Sequence, residues 1–363
     1  MASAGSRFRF FWLFLVIQWV ITPLAVLYAL VANRASPYAL TYWMCKLTGV
    51  RFFWSRGSAG TISKDRVMFL CNHRGWGDFV IDSVLTSGGS YMSRLMVIVA
   101  VPWSALYGVL TGNMIFFHRK KGVDRDALAT YVGAQWDRRP RAGLIVYPEG
   151  TRNQGAASKP LKHGCLDCAL KLDRAVQCVV CTDKEHVANE KKLRARGGVR
   201  CVVSCSRVIH PRDPLINRDR KKFIAAVHAA WDAAWADAHA ATPDDGGKST
   251  VELFLQRDDA SLVPGALAPV SAPPSFWRAW LARGACVALC AWAGGAPWAV
   301  PCAGLMALHL LLPETPQEFV DAARAARNAD EAQAEADADA DPSHPGRAAG
   351  EDFEVIEPKQ RRM

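Results

Sequence analysis

His73 and Asp78 stand five residues apart in the segment Cys71-Asn72-His73-Arg74-Gly75-Trp76-Gly77-Asp78, which follows directly on the apolar run Val67 to Leu70. A histidine at a strand end and an aspartate five residues on can meet if Gly75 and Gly77 allow a tight turn, or if His73 opens the next helix. The two would then work as base and orienter. The carboxylate holds one imidazole nitrogen as N–H and stabilises the imidazolium, leaving the other nitrogen to take a proton from an attacking hydroxyl. The competing reading is a histidine satisfied by a local backbone contact and an aspartate that caps a helix.

Two further segments have the same form, a short apolar run that ends in charge. Tyr147-Pro148-Glu149-Gly150-Thr151-Arg152 groups a carboxylate, a hydroxyl and a guanidinium around a glycine. That set suits a phosphate, which the planar fork of Arg152 can grip with two parallel N–H donors. Gly112-Asn113-Met114-Ile115-Phe116-Phe117-His118-Arg119 also ends in a cation. If all three runs are strands of one open α/β sheet, their charged ends meet at its carboxyl edge, where ligands bind in such sheets.

The elements needed to bring these ends together are legible between Arg66 and Ile209. Strands are expected at Val67 to Cys71, Asn113 to Phe117, Leu144 to Tyr147, Val176 to Cys181 and Val199 to Ser204, each a short apolar or β-branched run bounded by Gly, Pro or charge. Helices are expected at Asp78 to Leu85, Asp124 to Arg138, Cys165 to Leu172 and Lys221 to His239, the last carrying Trp231 and Trp235 on one face. This alternation predicts an α/β domain with a largely parallel sheet.

The remainder reads as membrane and tail. Phe10 to Ala32 is apolar and nearly uncharged, and about 20 such residues cross a bilayer core. It exceeds the apolar core of a secretory signal, so an uncleaved anchor is expected. Pro23 either kinks one helix or divides two. Pro37 to Leu47, rich in Tyr, Trp and Met, suits the membrane interface. The cations Arg34, Lys46, Arg51 and Arg56 after the run favour a cytosolic catalytic domain. A second apolar region, Phe276 to Leu312, would form one span, a hairpin or a Trp-anchored surface segment. An Ala/Asp/Glu-rich tail follows Pro313. The expected organisation is therefore an anchor at 1–50, a catalytic domain at 51–245, a linker at 246–275, the second apolar segment at 276–312 and a polar tail at 313–363.

The net charge of +10 implies an anionic partner. Aromatic residues and cations do not interleave as in a nucleic-acid stacking module, which leaves a phosphorylated substrate or an acidic membrane. The 11 cysteines are odd in number and scattered through apolar runs, unlike a secreted disulfide frame. Cys165 and Cys168 with Cys178 and Cys181 mimic zinc-ribbon spacing. On a strand, however, residues 178 and 181 point to opposite faces, so buried hydrophobic roles are expected instead.

On these motifs the chain resembles the glycerolipid acyltransferase family that includes the 1-acyl-sn-glycerol-3-phosphate acyltransferases. Asn72, His73 and Asp78 match its first block, Gly112 to Arg119 its second, and Glu149 to Arg152 its third. Lys162 and Gly164 resemble the basic residue and glycine that follow, and the coverage runs from about Phe53 to Ile209. The resemblance implies His73 as general base, Asp78 as its orienter, and Asn72, Arg119, Glu149, Gly150, Thr151, Arg152 and Lys162 on the acceptor side. It further implies acyl-coenzyme A as co-substrate, neither metal nor covalent acyl-enzyme, and an endoplasmic-reticulum membrane setting. The expected product is phosphatidic acid. Another lysophospholipid, glycerol 3-phosphate, or exchange between phospholipids without coenzyme A are the alternative reactions. Gln177 stands where the family has a proline, a departure that bears on chain or acceptor selectivity and leaves the base untouched. Backbone N–H groups around Gly75 to Gly77 are the expected oxyanion donors. Lys191 to Arg200 or Arg218 to Lys222 would meet coenzyme A phosphates or lipid headgroups.

Overall fold

A computed structural model describes residues 4–32, 34–94, 97, 100–117, 125–137, 143–255 and 268–269. In chain order the elements are α1 (Ala4–Val16), a π-helical turn (Ile17–Ile21), α2 (Thr22–Ala32), α3 (Pro37–Thr48), β1 (Arg51–Ser55), β2 (Met68–Cys71), α4 (Asp78–Leu85), β3 (Ser90–Arg94), α5 (Pro102–Leu110) and β4 (Met114–Phe117). They continue with α6 (Arg125–Asp137), β5 (Leu144–Val146), α7 (His163–Lys171), β6 (Val176–Cys181), α8 (Lys184–Val187), β7 (Arg200–Cys205), α9 (Arg220–Ala240) and β8 (Thr250–Leu253).

Eight strands form one sheet in the order β4-β3-β5-β2-β6-β7-β1-β8. The pairings from β4 through β6 are all parallel, so five carboxyl ends share one edge. The sheet turns mixed beyond β6. There β7 runs antiparallel to β6, β1 parallel to β7, and β8 antiparallel to β1.

Alternation along the strands divides the core in two. Val67, Phe69, Cys71, Val179, Cys181, Cys201 and Val203 face one side, where Ala29, Tyr38, Ile81, Val84 and Leu106 pack on them from α2 to α5. Met68, Leu70, Val176, Cys178 and Val180 face the other, against Val132 and Trp136 of α6, Leu166 of α7, and Phe223, Val227 and Trp231 of α9. Cys178 and Cys181 thus lie in opposite layers, as strand periodicity requires. All eight cysteines among the described residues are thiols.

The expected strands and helices recur within a residue or two of their expected limits, and five of the elements given above are additional, the short helix α8 (Lys184–Val187) among them. Ser90–Arg94 is a central strand with no apolar run to announce it, and Arg51–Ser55 and Pro102–Leu110 were likewise unassigned. Thr250–Leu253, at the start of the expected 246–275 linker, is instead the edge strand paired with β1. The second apolar region and the tail lie outside the described residues.

The N-terminal apolar run is one helix, Gly5–Ala29, long enough to cross a membrane. Pro23 does not divide it. Proline has no N–H to donate and its ring crowds the carbonyl four residues back. The chain absorbs this in the wider turn Ile17–Ile21, closed by the Thr22 N–H on the Ile17 carbonyl. One row of the helix, Phe10, Gln18, Thr22, Val26 and Ala29, is buried. The opposite row, which includes Phe8, Trp12, Leu15, Trp19 and Leu27, is exposed. Pro37–Thr48, expected at the membrane interface, is a helix that buries Tyr38, Tyr42 and Cys45 and exposes Trp43 and Leu47.

Candidate active site

His73 stands two residues beyond the carboxyl end of β2, and a tight turn carries the chain from it into α4. The turn is tight because glycines let it press on the α8 segment. A Cβ on Gly77 would meet the Lys184 carbonyl at 2.8 Å, and one on Gly75 the Ala188 carbonyl at 2.9 Å. Asp78, in the first turn of α4, is fully buried. Its Oδ2 accepts from His73 Nδ1 at 2.6 Å and from the N–H groups of Arg74 and Gly75 at 2.5 and 3.1 Å. Nδ1 is therefore the donor, and Nε2 is left as the basic nitrogen. Burial alone would push the Asp78 carboxyl up, but the Lys184 charge and the His73 hydrogen bond outweigh it and hold the carboxyl below its usual range.

The imidazole is clamped by aromatic rings. It stacks on Tyr147 with centroids 4.2 Å apart and planes 19° apart, and meets the edge of Phe79 at 6.4 Å. Tyr147 stands one residue beyond the carboxyl end of β5, and its hydroxyl donates to Asp82 Oδ2 at 3.0 Å. Lys184 Nζ lies 2.8 Å from Asp82 Oδ1. The sequence motifs give no role to Tyr147, which opens the Tyr147–Arg152 segment, and do not include Asp82 or Lys184. Aspartate at 78 and 82 shares one face of α4 at helical spacing, which is the one signal available beforehand.

The third segment meets this pair from the neighbouring strand. Asn153 N–H donates to the His73 carbonyl at 2.6 Å, joining the two turns. Glu149 is buried and works from behind the surface, its Oε2 accepting from Asn153 Nδ2 at 2.6 Å and from the Lys159 N–H at 3.1 Å. Burial raises its carboxyl above the usual value, against the Asn153 hydrogen bond. Gly150 adopts φ +67°, which side-chain-bearing residues seldom do. That turn brings Gly150, Thr151, Arg152 and Lys162 onto the wall of one cavity of about 880 Å³, together with His73. Arg152 is ion-paired with Glu190 at 2.6 Å. The rest of the wall is largely apolar, with Phe10, Phe14 and Ile17 from the N-terminal helix and Val132 from α6. Trp76 stacks on Phe10 and Phe14 at 6.0 and 5.6 Å, docking that helix against the His73–Asp78 turn.

Several expected roles change in the structure. The N–H groups of Gly75, Trp76 and Gly77 are each engaged, by Asp78 Oδ2, Glu190 Oε2 and the Ala188 carbonyl. They do not serve as an oxyanion hole in this conformation. Asn72, expected beside the acceptor, is buried, and both ends of its amide are bound to the Cys181 backbone at 3.0 Å. It ties β2 to β6 and does not face the cavity. Arg119 lies outside the described residues. Gln177 is also structural, its amide accepting from Ser63 N–H at 2.9 Å and donating to the carbonyls of Thr61 and Ser206 at 2.8 Å. Arg218 and Arg220 are paired with Asp173 and Asp167, whereas Lys191 reaches the cavity wall.

Comparison with known proteins agrees with this geometry at a coarse level. A family model described as Acyltransferase matches residues 55–182. That segment, about a third of the chain, is an acyltransferase-family domain holding His73, Asp78, Glu149, Arg152 and Lys162, and it supports an acyl-transfer activity. The crystal structure of the 1-acyl-sn-glycerophosphate (LPA) acyltransferase PlsC from Thermotoga maritima aligns over 53% of this chain and 74% of its own at 16% identity. The TM-score of that alignment is 0.38. No curated protein matches the chain.

Proposed function

We propose that the protein transfers a fatty acyl group from acyl-coenzyme A to the sn-2 hydroxyl of 1-acyl-glycerol-3-phosphate, giving phosphatidic acid. The observation that carries this reading is His73, held from behind by Asp78, on the wall of a largely apolar cavity that also presents Arg152 and Lys162. An acceptor with a phosphate at one end and an acyl chain at the other matches both kinds of wall.

In the reaction, His73 Nε2 takes the proton of the acceptor hydroxyl as its oxygen attacks the thioester carbonyl. The tetrahedral intermediate collapses with cleavage of the C–S bond, and the imidazolium returns the proton to the departing thiolate. Asp78 holds the ring and stabilises its cationic form. Because a thioester already has a good leaving group, alignment and hydroxyl activation supply most of the catalysis. Arg152, displaced from Glu190, and Lys162 take the acceptor phosphate. Lys191 and the neighbouring cations take phosphates of coenzyme A.

The N-terminal helix supports a membrane seat. Its buried row touches the domain along the whole helix, from Ser6 against Ala195 through Gln18 against Ser104 to Ala29 in the core. Standing upright across a bilayer, it would draw the catalytic turn and the cations 191–196 into hydrocarbon at high cost. Lying in one leaflet, it sinks only its exposed row. We assign the domain to the cytosolic face of the endoplasmic reticulum, in keeping with its free thiols.

The acceptor is tested by incubating membranes bearing the protein with labelled oleoyl-coenzyme A and, separately, lysophosphatidic acid, lysophosphatidylcholine and glycerol 3-phosphate. Labelled phosphatidic acid from the first is the expected product. Preferential labelling of either other acceptor would replace this one.

A further inference from the structure

Beneath the His73–Asp78 pair lies a second charge pair that the proposed chemistry does not use. Lys184 opens α8, just past the carboxyl end of β6, and is wholly buried. Its Nζ donates to the Asn72 carbonyl at 2.6 Å and to Asp82 Oδ1 and Oδ2 at 2.8 and 2.9 Å. It also lies 4.0 Å from Asp78 Oδ1, the carboxylate oxygen that has no hydrogen-bond partner among the described residues. Asp82, equally buried, accepts from the hydroxyl of Tyr147, whose ring is the platform under His73.

Removing a lysine and an aspartate from water costs several kcal/mol per ion, and well-packed apolar side chains of similar volume often hold a core as well or better. Stability alone gives little reason for the pair to be here. Its position does. We propose that Lys184, anchored by Asp82, is a positioning residue for the catalytic pair, fixing the Asp78 carboxylate at one end and the Tyr147 ring under His73 at the other. The inference rests on reading His73 as the general base.

The groups around Asp78 give the sign of the effect. His73 and the N–H groups of Arg74 and Gly75 face it from its own turn, Asp82 follows one helical turn on, and Lys184 faces it from α8. The Arg74 guanidinium is engaged by Glu185 at 2.5 Å. Burial holds the thiols of Cys71 and Cys181 and the phenols of Tyr91 and Tyr147 well above their usual values, so these groups stay neutral. Burial pushes the Asp78 carboxyl up and Lys184 is the strongest charge opposing it. Without Lys184, Asp78 takes up a proton at higher pH, and the orienting charge is lost sooner as pH falls.

The test uses the full chain in lipid nanodiscs, comparing the wild type with Lys184→Met and with the double variant Lys184→Met/Asp82→Asn, which removes the Asp82 charge together with that of Lys184 and keeps an acceptor for Tyr147. Two readouts are taken: the pH profile of kcat/KM, and the tautomer of His73 in 15N-histidine spectra, assigned by a His73→Gln sample. An opposite charge at this range moves a carboxylate by about 1–3 units. The acid limb should therefore rise by about that amount in the single variant and by less, in the same direction, in the double. The Nδ1–H form of His73 should give way to a tautomer mixture. A lowered melting temperature with an unshifted limb and an unchanged tautomer would overturn the proposal, as would a double variant that fails to fold. If the wild type turns over no acceptor, the reaction reading fails, and the tautomer still decides the role of Lys184.

Discussion

At the scale of single residues, the groups proposed to touch substrate are distinct from the groups that hold them. His73→Ala removes the base, and a positioned base contributes about 10²–10⁴-fold to rate. That loss should appear in kcat without a change in melting temperature. Arg152 faces the cavity, so Arg152→Ala should raise KM for a phosphate-bearing acceptor by about 10- to 100-fold, the worth of a charge-assisted hydrogen bond. Steady-state kinetics with varied lysophosphatidic acid would show it, and an unchanged KM would remove Arg152 from the acceptor site. The residues proposed to meet substrate were legible because their chemistry is rare in a core: a histidine, an arginine and a glycine turn after apolar strands. Tyr147, Asp82 and Lys184 were not, because a half-buried tyrosine and a buried aspartate or lysine reveal their roles only through the partners that folding brings to them.

Among the elements, strands that are apolar throughout were legible from their composition, and Val176–Cys181, buried at every position, is the clearest. Ser90–Arg94 was not. It has polar Ser90, Ser93 and Arg94 without a period of two, and it becomes a strand because β5 and β4 flank it on both sides. Gln177 shows how an element-scale fact corrects a motif-scale one. A departure from a family proline suggested altered selectivity, yet the amide brackets the loop at Thr61 and Ser63 to the sheet. Gln177→Ala should therefore cost about 1–3 kcal/mol, the cost of leaving the buried Ser206 carbonyl unpaired, since the part-buried groups of Thr61 and Ser63 can turn to water. Chemical denaturation measures this, and the acyl-chain preference of the folded variant should be unchanged. A shifted preference at unchanged stability would return Gln177 to the substrate path.

At the scale of the whole molecule, the candidate site and the apolar helix share one surface, since Phe10 and Phe14 line the cavity and pack on Trp76 while the opposite helix face is bare. The apolar run was evident in sequence, but its orientation was not, because length and hydropathy are the same for a helix that crosses a bilayer and one that lies in it. Gly5 has open space at its Cβ position, and Lys221 is exposed. Cysteines introduced at both positions in sealed vesicles should react with an impermeant maleimide from the same side. Labelling of the two from opposite sides would establish a crossing helix and overturn the in-plane seat.

The central claim is that His73 activates a lipid hydroxyl against an acyl thioester. Its most direct test is acceptor-dependent thiol release from oleoyl-coenzyme A by the reconstituted wild-type and His73→Ala proteins, with lysophosphatidic acid as acceptor. The account predicts release by the wild type that needs the acceptor and that falls to background in the folded variant. Comparable release by both proteins would contradict it.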